Sequence, residues 1–266
     1  MLNIVKNIAN KDVNKRRYLL IEELDKINIE YTITNRKIGE NFVKNIIVNF
    51  NNNDNKKLVI GAHYDNLEGS IGANDNITGV AILIEIIKYI KENNIDRNID
   101  IVFFDREEYA DRGSEQYIKE IGKNNIEAMI NIDTCGFGDT IIVGTETNIQ
   151  KMYEMKILNK NILNKDYIKT IKINPGSDDR SFEDENIPNI HIQVVPKEDL
   201  EIINKIIDCN IKGLEIPTEL SSKRLKFMDT IHNGKYDTLE IVDEKPMKLV
   251  LNLMLDIIKN LQINSF

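Results

Sequence analysis

Tryptophan is absent from this chain, and cysteine and histidine are scarce, with two and three copies among 266 residues. Two thiols, Cys135 and Cys209, cannot make the framework of bridges that holds a disulfide-rich secreted domain together. The fold must therefore rest on a hydrophobic core, and 41% hydrophobic residues supply the material for one. No apolar run is long enough to cross a bilayer, and Met1-Leu2-Asn3-Ile4-Val5-Lys6 has no extended apolar stretch of the kind a secretory signal carries. A cytoplasmic location with no membrane partner is the expectation. Basic residues are in the minority, 35 Lys and Arg against 43 Asp and Glu, for a net charge of -8. That balance argues against a broad basic surface for a polyanion, so no nucleic-acid partner is expected. The five prolines and thirteen glycines form no linker. No internal repeat divides the chain either, and residues 1–266 read as one domain.

What is present is organised around residues 61–79, GAHYDNLEGSIGANDNITG. The apolar run 57–60 leads in and reads as a buried strand; the run 80–90 leads out and reads as a helix. A strand that opens into a polar, Gly-rich loop is where α/β proteins place their chemistry. Upstream, residues 11–27 carry apolar residues at helical spacing, 29–34 and 43–50 read as strands, and 51–55 is a turn of Asn and Asp. Downstream, 99–104, 128–132, 140–143, 168–173 and 187–195 read as strands, and 114–121, 149–161 and 246–261 as helices. Residues 196–228 are charged and the least regular, with a helix around 200–207, and read as a lid or insertion. Strands alternating with helices predict an α/β fold, an α/β/α sandwich whose mixed, mainly parallel sheet is covered by helices on both faces.

The candidate chemical residues sit at strand ends. His63 closes the first buried strand, and Asp65, two residues on, lies on the same face if the strand continues. A carboxylate there can accept the second imidazole N–H and fix the tautomer. Asp75 lies among Asn and Gly and also has ordinary uses, in a turn or as a helix cap. Glu107 and Glu108 follow the apolar strand IVFF; adjacent carboxylates there repel unless a cation or proton is present, or else they form a solvated loop pair. Asp133 follows AMINI in the same way, and His232 lies in a turn-like segment before the last helix. His191, inside an apolar run, reads as structural or as a support for a ligand. Together, two histidines and three acids can hold two metal ions about 3.5–4 Å apart with one carboxylate bridging, and a free carboxylate beside them can act as a general base. The residues alone reach metal-assisted hydrolysis and do not name the bond.

At these residues the chain resembles the di-zinc aminopeptidases of the bacterial leucyl aminopeptidase and aminopeptidase Y type, a family that also contains the glutaminyl cyclases. GAHYDNLEGSIGANDNITG, FFDREEYADRGSEQY and NIDTCGFGD match its first three motifs, and SDDRSF and HNGKYDTLE match the last two more loosely. The resemblance covers nearly the whole chain. It implies a zinc-exopeptidase-like fold with an eight-stranded mixed sheet, and two Zn2+ ions, or other divalent transition metals in their place. His63 and Asp133 would hold one ion, Glu108 and His232 the other, with Asp75 bridging. Glu107 would be the general base and Asp65 the partner of His63. The implied substrate is a peptide with a free N-terminus, whose first residue is removed.

Three positions depart from the family pattern. Asp179 stands where the family usually has His, Asp237 follows His232 one residue later than usual, and Ala110 occupies a position that is often Gly. None removes a ligand or the base. The rival readings are a glutaminyl cyclase, which uses one zinc on the same scaffold, and a non-catalytic peptide-binding module. Cyclase pockets usually carry tryptophan, including one just before the final His, where this chain has Ile231. A binding module would normally lose the base or a ligand, and all are present. A carboxypeptidase or deacylase on a related di-zinc fold usually shows different ligand spacings.

Overall fold

A computed structural model describes residues 1–51, 55–109, 113–174, 176–232 and 234–263. Helices α1 (Leu2–Ile8) and α2 (Val13–Lys26) precede the short strands β1 (Thr32–Ile33), β2 (Arg36–Ile38) and β3 (Asn41–Val43), then β4 (Ile46–Phe50) and β5 (Lys57–His63). A kinked turn leads into α3 (Thr78–Asn93), β6 (Ile99–Phe104), α4 (Gly113–Ile121), β7 (Ile126–Ile132) and β8 (Thr140–Val143). Then come α5 (Glu146–Glu154), α6 (Lys160–Leu163), β9 (Ile168–Lys169), α7 (Asp179–Asp184) and β10 (Asn189–Val195). The chain closes with α8 (Lys197–Ile211), α9 (Thr218–Ser221) and α10 (Glu244–Ile263).

The apolar runs form the middle of an eight-stranded sheet of order β1-β4-β6-β5-β7-β10-β8-β9. Its four central strands, β6, β5, β7 and β10, are mutually parallel, while β1, β4 and β8 join by antiparallel pairing. This is the expected α/β fold with a mixed, mostly parallel sheet. Strands buried on both faces need no polar alternation, so these segments read as continuous hydrophobic runs. On β5, Leu58 and Ile60 pack toward α3, whose Val80, Leu83, Ile84 and Ile87 are fully buried. On the other face Val59 joins Phe104, Tyr117 and Phe182. Gly61 lies where a Cβ would stand 2.3 Å from the Phe104 ring, so no larger residue fits at that point of β5. The one acid inside β6, Asp100, is satisfied by the Tyr117 hydroxyl at 2.7 Å, Asn49 Nδ2 at 2.7 Å and Lys57 Nζ at 3.0 Å.

Several boundaries differ from the sequence reading. The helix expected over 149–161 is two helices, because Lys156 takes a left-handed φ of 58° and Asn159 starts α6 by accepting the Asn161 and Ile162 N–H groups. The strand expected over 43–50 is split at Lys44 and Asn45, where the Asn45 side chain bonds the Gly113 carbonyl and the Asp105 N–H instead of continuing the ladder. Residues 168–173 keep only the two-residue edge strand β9. Residues 196–228 are more regular than expected, since α8 runs for 15 residues and Leu200 packs on Phe227 beneath it. The turn expected at 51–55 falls largely on 52–54, and the departure at Ala110 also lies outside the described residues.

The C-terminal ends of β5, β6 and β7 lie side by side. His63, Glu107, Glu108 and Asp133 therefore emerge at one end of the sheet, as ligand sites do in open α/β folds.

Candidate metal centre

His63 ends β5 and is buried. Its Nε2 lies 3.2 Å from Asp75 Oδ1 and 3.6 Å from Asp133 Oδ1, and its Nδ1 lies 3.3 Å from Asp65 Oδ1. Both Asp65 oxygens also accept backbone N–H groups, from Glu107 at 3.1 Å and Glu108 at 3.2 Å. Asp65 thus ties the end of β5 to the loop after β6. Asp75 faces two ways: Oδ1 toward His63, and Oδ2 accepting the His232 N–H at 2.7 Å. His232 Nε2 lies 3.9 Å from Glu108 Oε2. His63, Asp75 and Glu108 each offer a ligand atom, all within 4.8 Å of one another. Every residue expected at the site is brought to one cluster. His232 is the most exposed of them, its side chain 59% accessible against 1% for His63.

The donor set fits a divalent transition metal. Imidazole nitrogen and carboxylate oxygen are zinc ligands. Glu108 Oε1 and Asp133 Oδ1 are buried and accept no hydrogen bond among the described residues, which a buried carboxylate does not tolerate without a cation or a proton.

The loop that carries Asp65 and Asp75 is held from behind by Arg16, a fully buried residue of α2. Its Nε donates to the Lys11 carbonyl at 3.0 Å, Nη1 to those of Tyr64 and Asp65 at 3.2 and 3.1 Å, and Nη2 to those of Ile71 and Gly72 at 2.7 and 3.4 Å. Gly72 is left-handed (φ 58°), and a Cβ there would collide with the guanidinium at 2.3 Å. Burial lowers Arg16 to about 10, with Asp65, Asp237, Asp75 and Glu108 opposing the shift; it remains a cation beneath an acidic cluster. Asp237 completes the frame, its Oδ1 accepting the Asn74 N–H at 2.7 Å and the Asp75 N–H at 3.4 Å.

The departure at Asp179 is resolved by its partners. Asp179 is fully buried and accepts from His191 Nδ1 at 2.9 Å, Asn131 Nδ2 at 3.2 Å and the Ser177 N–H at 2.9 Å. Its partner is an imidazole on β10, His191, which is itself buried. Sequence reasoning missed Arg16, Asp178 and Asp237. Asp178 and Asp237 lie inside the quoted motifs SDDRSF and HNGKYDTLE, which were the available signal. Arg16 sits in the run Lys15-Arg16-Arg17, which looks like a solvated helix face.

Without a metal, the cluster's acids are pushed toward their neutral forms. Burial raises Glu107 to about 7, His63 opposing and Asp133 and Asp75 adding to the rise. Burial and then the Asp75 charge raise Glu108 to about 9. Burial and the Glu107 charge push Asp178 well above the carboxylate range, and burial brings Asp237 to about 6. Burial works against a charged His63, but the carboxylates of Asp133, Asp65 and Asp75 facing its two nitrogens outweigh it and raise this imidazole well above 6.5. For a carboxyl raised on folding, the unfolded chain releases its proton first, so stability falls as pH rises from the unfolded value to the folded one. For His63, the stability of the charged form is likewise lost as pH rises through its folded value. Asp75 is held low because its bonds to His63 outweigh burial; its contribution is lost only in more acidic solution. All the raised groups therefore act in one direction near neutrality. The melting temperature of chelator-treated protein is expected to fall by several degrees between about pH 5.5 and pH 7.5. Zinc at the higher pH should restore it, because a cation stabilises the ionised ligands. Thermal melts at the two pH values, with and without zinc, check this; a flat or rising profile in chelator would contradict it.

The sequence profile described as Peptidase family M28 matches residues 45–258. The vacuolar membrane protease of Schizosaccharomyces japonicus is 30% identical over 107 residues, which are 39% of this chain and 12% of that protein. Aminopeptidase YwaD of Bacillus subtilis is 31% identical over 82 residues, 30% of this chain and 18% of that protein. The matched stretches thus span less than a fifth of either relative. Among solved structures, a Zn-dependent exopeptidase from Parabacteroides distasonis superposes with a TM-score of 0.67 at 18% identity, covering 97% of this chain and 96% of that one. A Tannerella forsythia glutaminyl cyclase superposes with a TM-score of 0.64 at 18% identity, covering 96% of each. At that identity the likeness is one of fold.

Proposed function

We infer the function from one premise: the chain belongs to peptidase family M28, a family of zinc metallopeptidases with aminopeptidases among this chain's relatives. We propose that it is a metal-dependent aminopeptidase that removes the N-terminal residue of peptides. The observation that carries the reading is the two-sided Asp75, with one oxygen toward His63, whose Nε2 also faces Asp133, and the other on the segment of His232, which approaches Glu108. In this reading His63 and Asp133 would hold one ion and Glu108 and His232 the other, with Asp75 available to both. Such ions, when bound, polarise a peptide carbonyl and make water reactive near neutral pH. Asp65, whose Oδ1 lies 3.3 Å from His63 Nδ1, is placed to fix the tautomer that presents Nε2 as a ligand. Glu107 takes a proton from the attacking water and passes it to the departing amine. Before metal binds, burial raises the Glu107 carboxyl to about 7, and a general base works best when it can both take and return a proton near the working pH.

Bound metal and activity on one preparation test this. About two zinc ions per chain are expected, with hydrolysis of aminoacyl-anilides that a chelator abolishes and zinc restores. Cyclisation of N-terminal glutamine without anilide hydrolysis, or a metal-free inert protein, would overturn the reading.

A further inference from the structure

We propose that a second cavity, beside the metal cluster, binds the part of a peptide downstream of the scissile bond and makes short oligopeptides with a free C-terminus better substrates than single-residue derivatives. The inference rests on the aminopeptidase reading.

The cavity has a volume of about 720 Å³, inside the roughly 300–1,000 Å³ typical of ligand sites. It opens at the same end of the sheet as the cluster. Its walls come from the start of α2, from the β2–β3 hairpin and from the loops after β5 and β6. The cleft that holds Glu107, Glu108 and His232 is smaller, about 340 Å³. Two contacts show that the spaces adjoin. Tyr109 lines both. Ser70, in the wall of the larger cavity, donates its hydroxyl to the His232 carbonyl at 2.6 Å. A chain held by its amino end in the cleft has the larger cavity as its neighbouring space.

The lining suits a peptide. Asp105 Oδ2 accepts the Lys44 N–H at 2.8 Å, but Asp105 Oδ1 is buried and accepts nothing among the described residues. Asp105 thus lines the space with unmet capacity to accept a hydrogen bond. Arg17 and Lys44, both half-buried, line the same space, and no carboxylate pairs with the Lys44 ammonium among the described residues. These cations would meet the C-terminal carboxylate of a short peptide. The acids Asp12, Glu40 and Glu68 also line the space but are exposed, and the buried Asp65 spends its oxygens on the Glu107 and Glu108 N–H groups. Phe42, 48% exposed, offers an apolar surface to a side chain.

Calorimetry on the zinc-loaded protein tests the assignment, with a tetrapeptide and a dipeptide whose first peptide bond is reduced to an uncleavable methylene amine. The tetrapeptide is expected to bind at least about tenfold more tightly, and Lys44→Glu and Phe42→Ala should each remove most of that difference. Equal affinities in the wild type, or a difference that survives both substitutions, overturn the proposal. Anilide hydrolysis on the same preparations reports on the aminopeptidase reading separately. Hydrolysis without a length preference sinks the cavity assignment alone. A length preference lost in both variants, with no hydrolysis, supports the cavity and sinks the reading.

Discussion

Glu107→Gln is expected to keep its metal and to lose hydrolysis by about 10³-fold, within the range that a positioned general base contributes. The substitution conserves shape and removes one function, proton transfer. In the proposed reading Glu107 holds no ion and acts only on the proton. Its backbone N–H, which anchors Asp65, is untouched by the change. The fold should accept the amide readily, because the site already pushes Glu107 toward its neutral form through burial and the charges of Asp133 and Asp75. Metal content, the chelator-dependent melting curve and kcat on an aminoacyl-anilide decide between three outcomes. Bound zinc with a lost kcat identifies the base. Bound zinc with near wild-type turnover removes Glu107 from the chemistry. Lost zinc makes Glu107 a ligand, and the assignment of Glu108 would then have to be exchanged with it.

Much of this site was legible because three of its segments repeat one pattern, an apolar strand closed by a chemical residue. His63 after LVIGA, the Glu pair after IVFF and Asp133 after AMINI all follow it, and the parallel centre of the sheet brings those ends together. The rest depends on contacts distant in sequence. Arg16 lies about fifty residues before the carbonyls it binds, and nothing in a basic helical run marks one of its members as buried. Asp179 looked like a lost histidine because its partner, His191, comes from another element. The split of β3 from β4 is made by one asparagine side chain that bonds the carbonyl of Gly113, at the start of α4, 68 residues on. Residues 196–211 were hard to read because α8 buries little beyond Asp199 and Leu200, so its apolar periodicity is weak against its charge.

Asp75→Asn carries the second large effect, the loss of both ions rather than one, with anilide hydrolysis falling by at least about 10³-fold, as expected when both polarisation and water activation are lost. Asp75 has one oxygen toward His63 and the other on the His232 N–H, so it faces both ligand sets. Asparagine keeps the shape and one oxygen that can still accept the His232 N–H, but it offers no charge and no second anionic oxygen to share. The surrounding frame does not depend on that charge. Asp237 holds the backbone N–H groups of Asn74 and Asp75, and Arg16 holds the carbonyls of Ile71 and Gly72. The chelator-treated variant should therefore melt within a few degrees of chelator-treated wild type. Its rise in melting temperature on adding zinc, which reports binding to the folded state alone, should vanish. A zinc titration followed by melting temperature, with bound zinc counted per chain, separates the possibilities. Retention of one ion with a reduced thermal shift would make Asp75 a ligand of a single ion. The pairing of Glu108 with His232, 3.9 Å apart in this structure, would then have to bind its metal without a bridge.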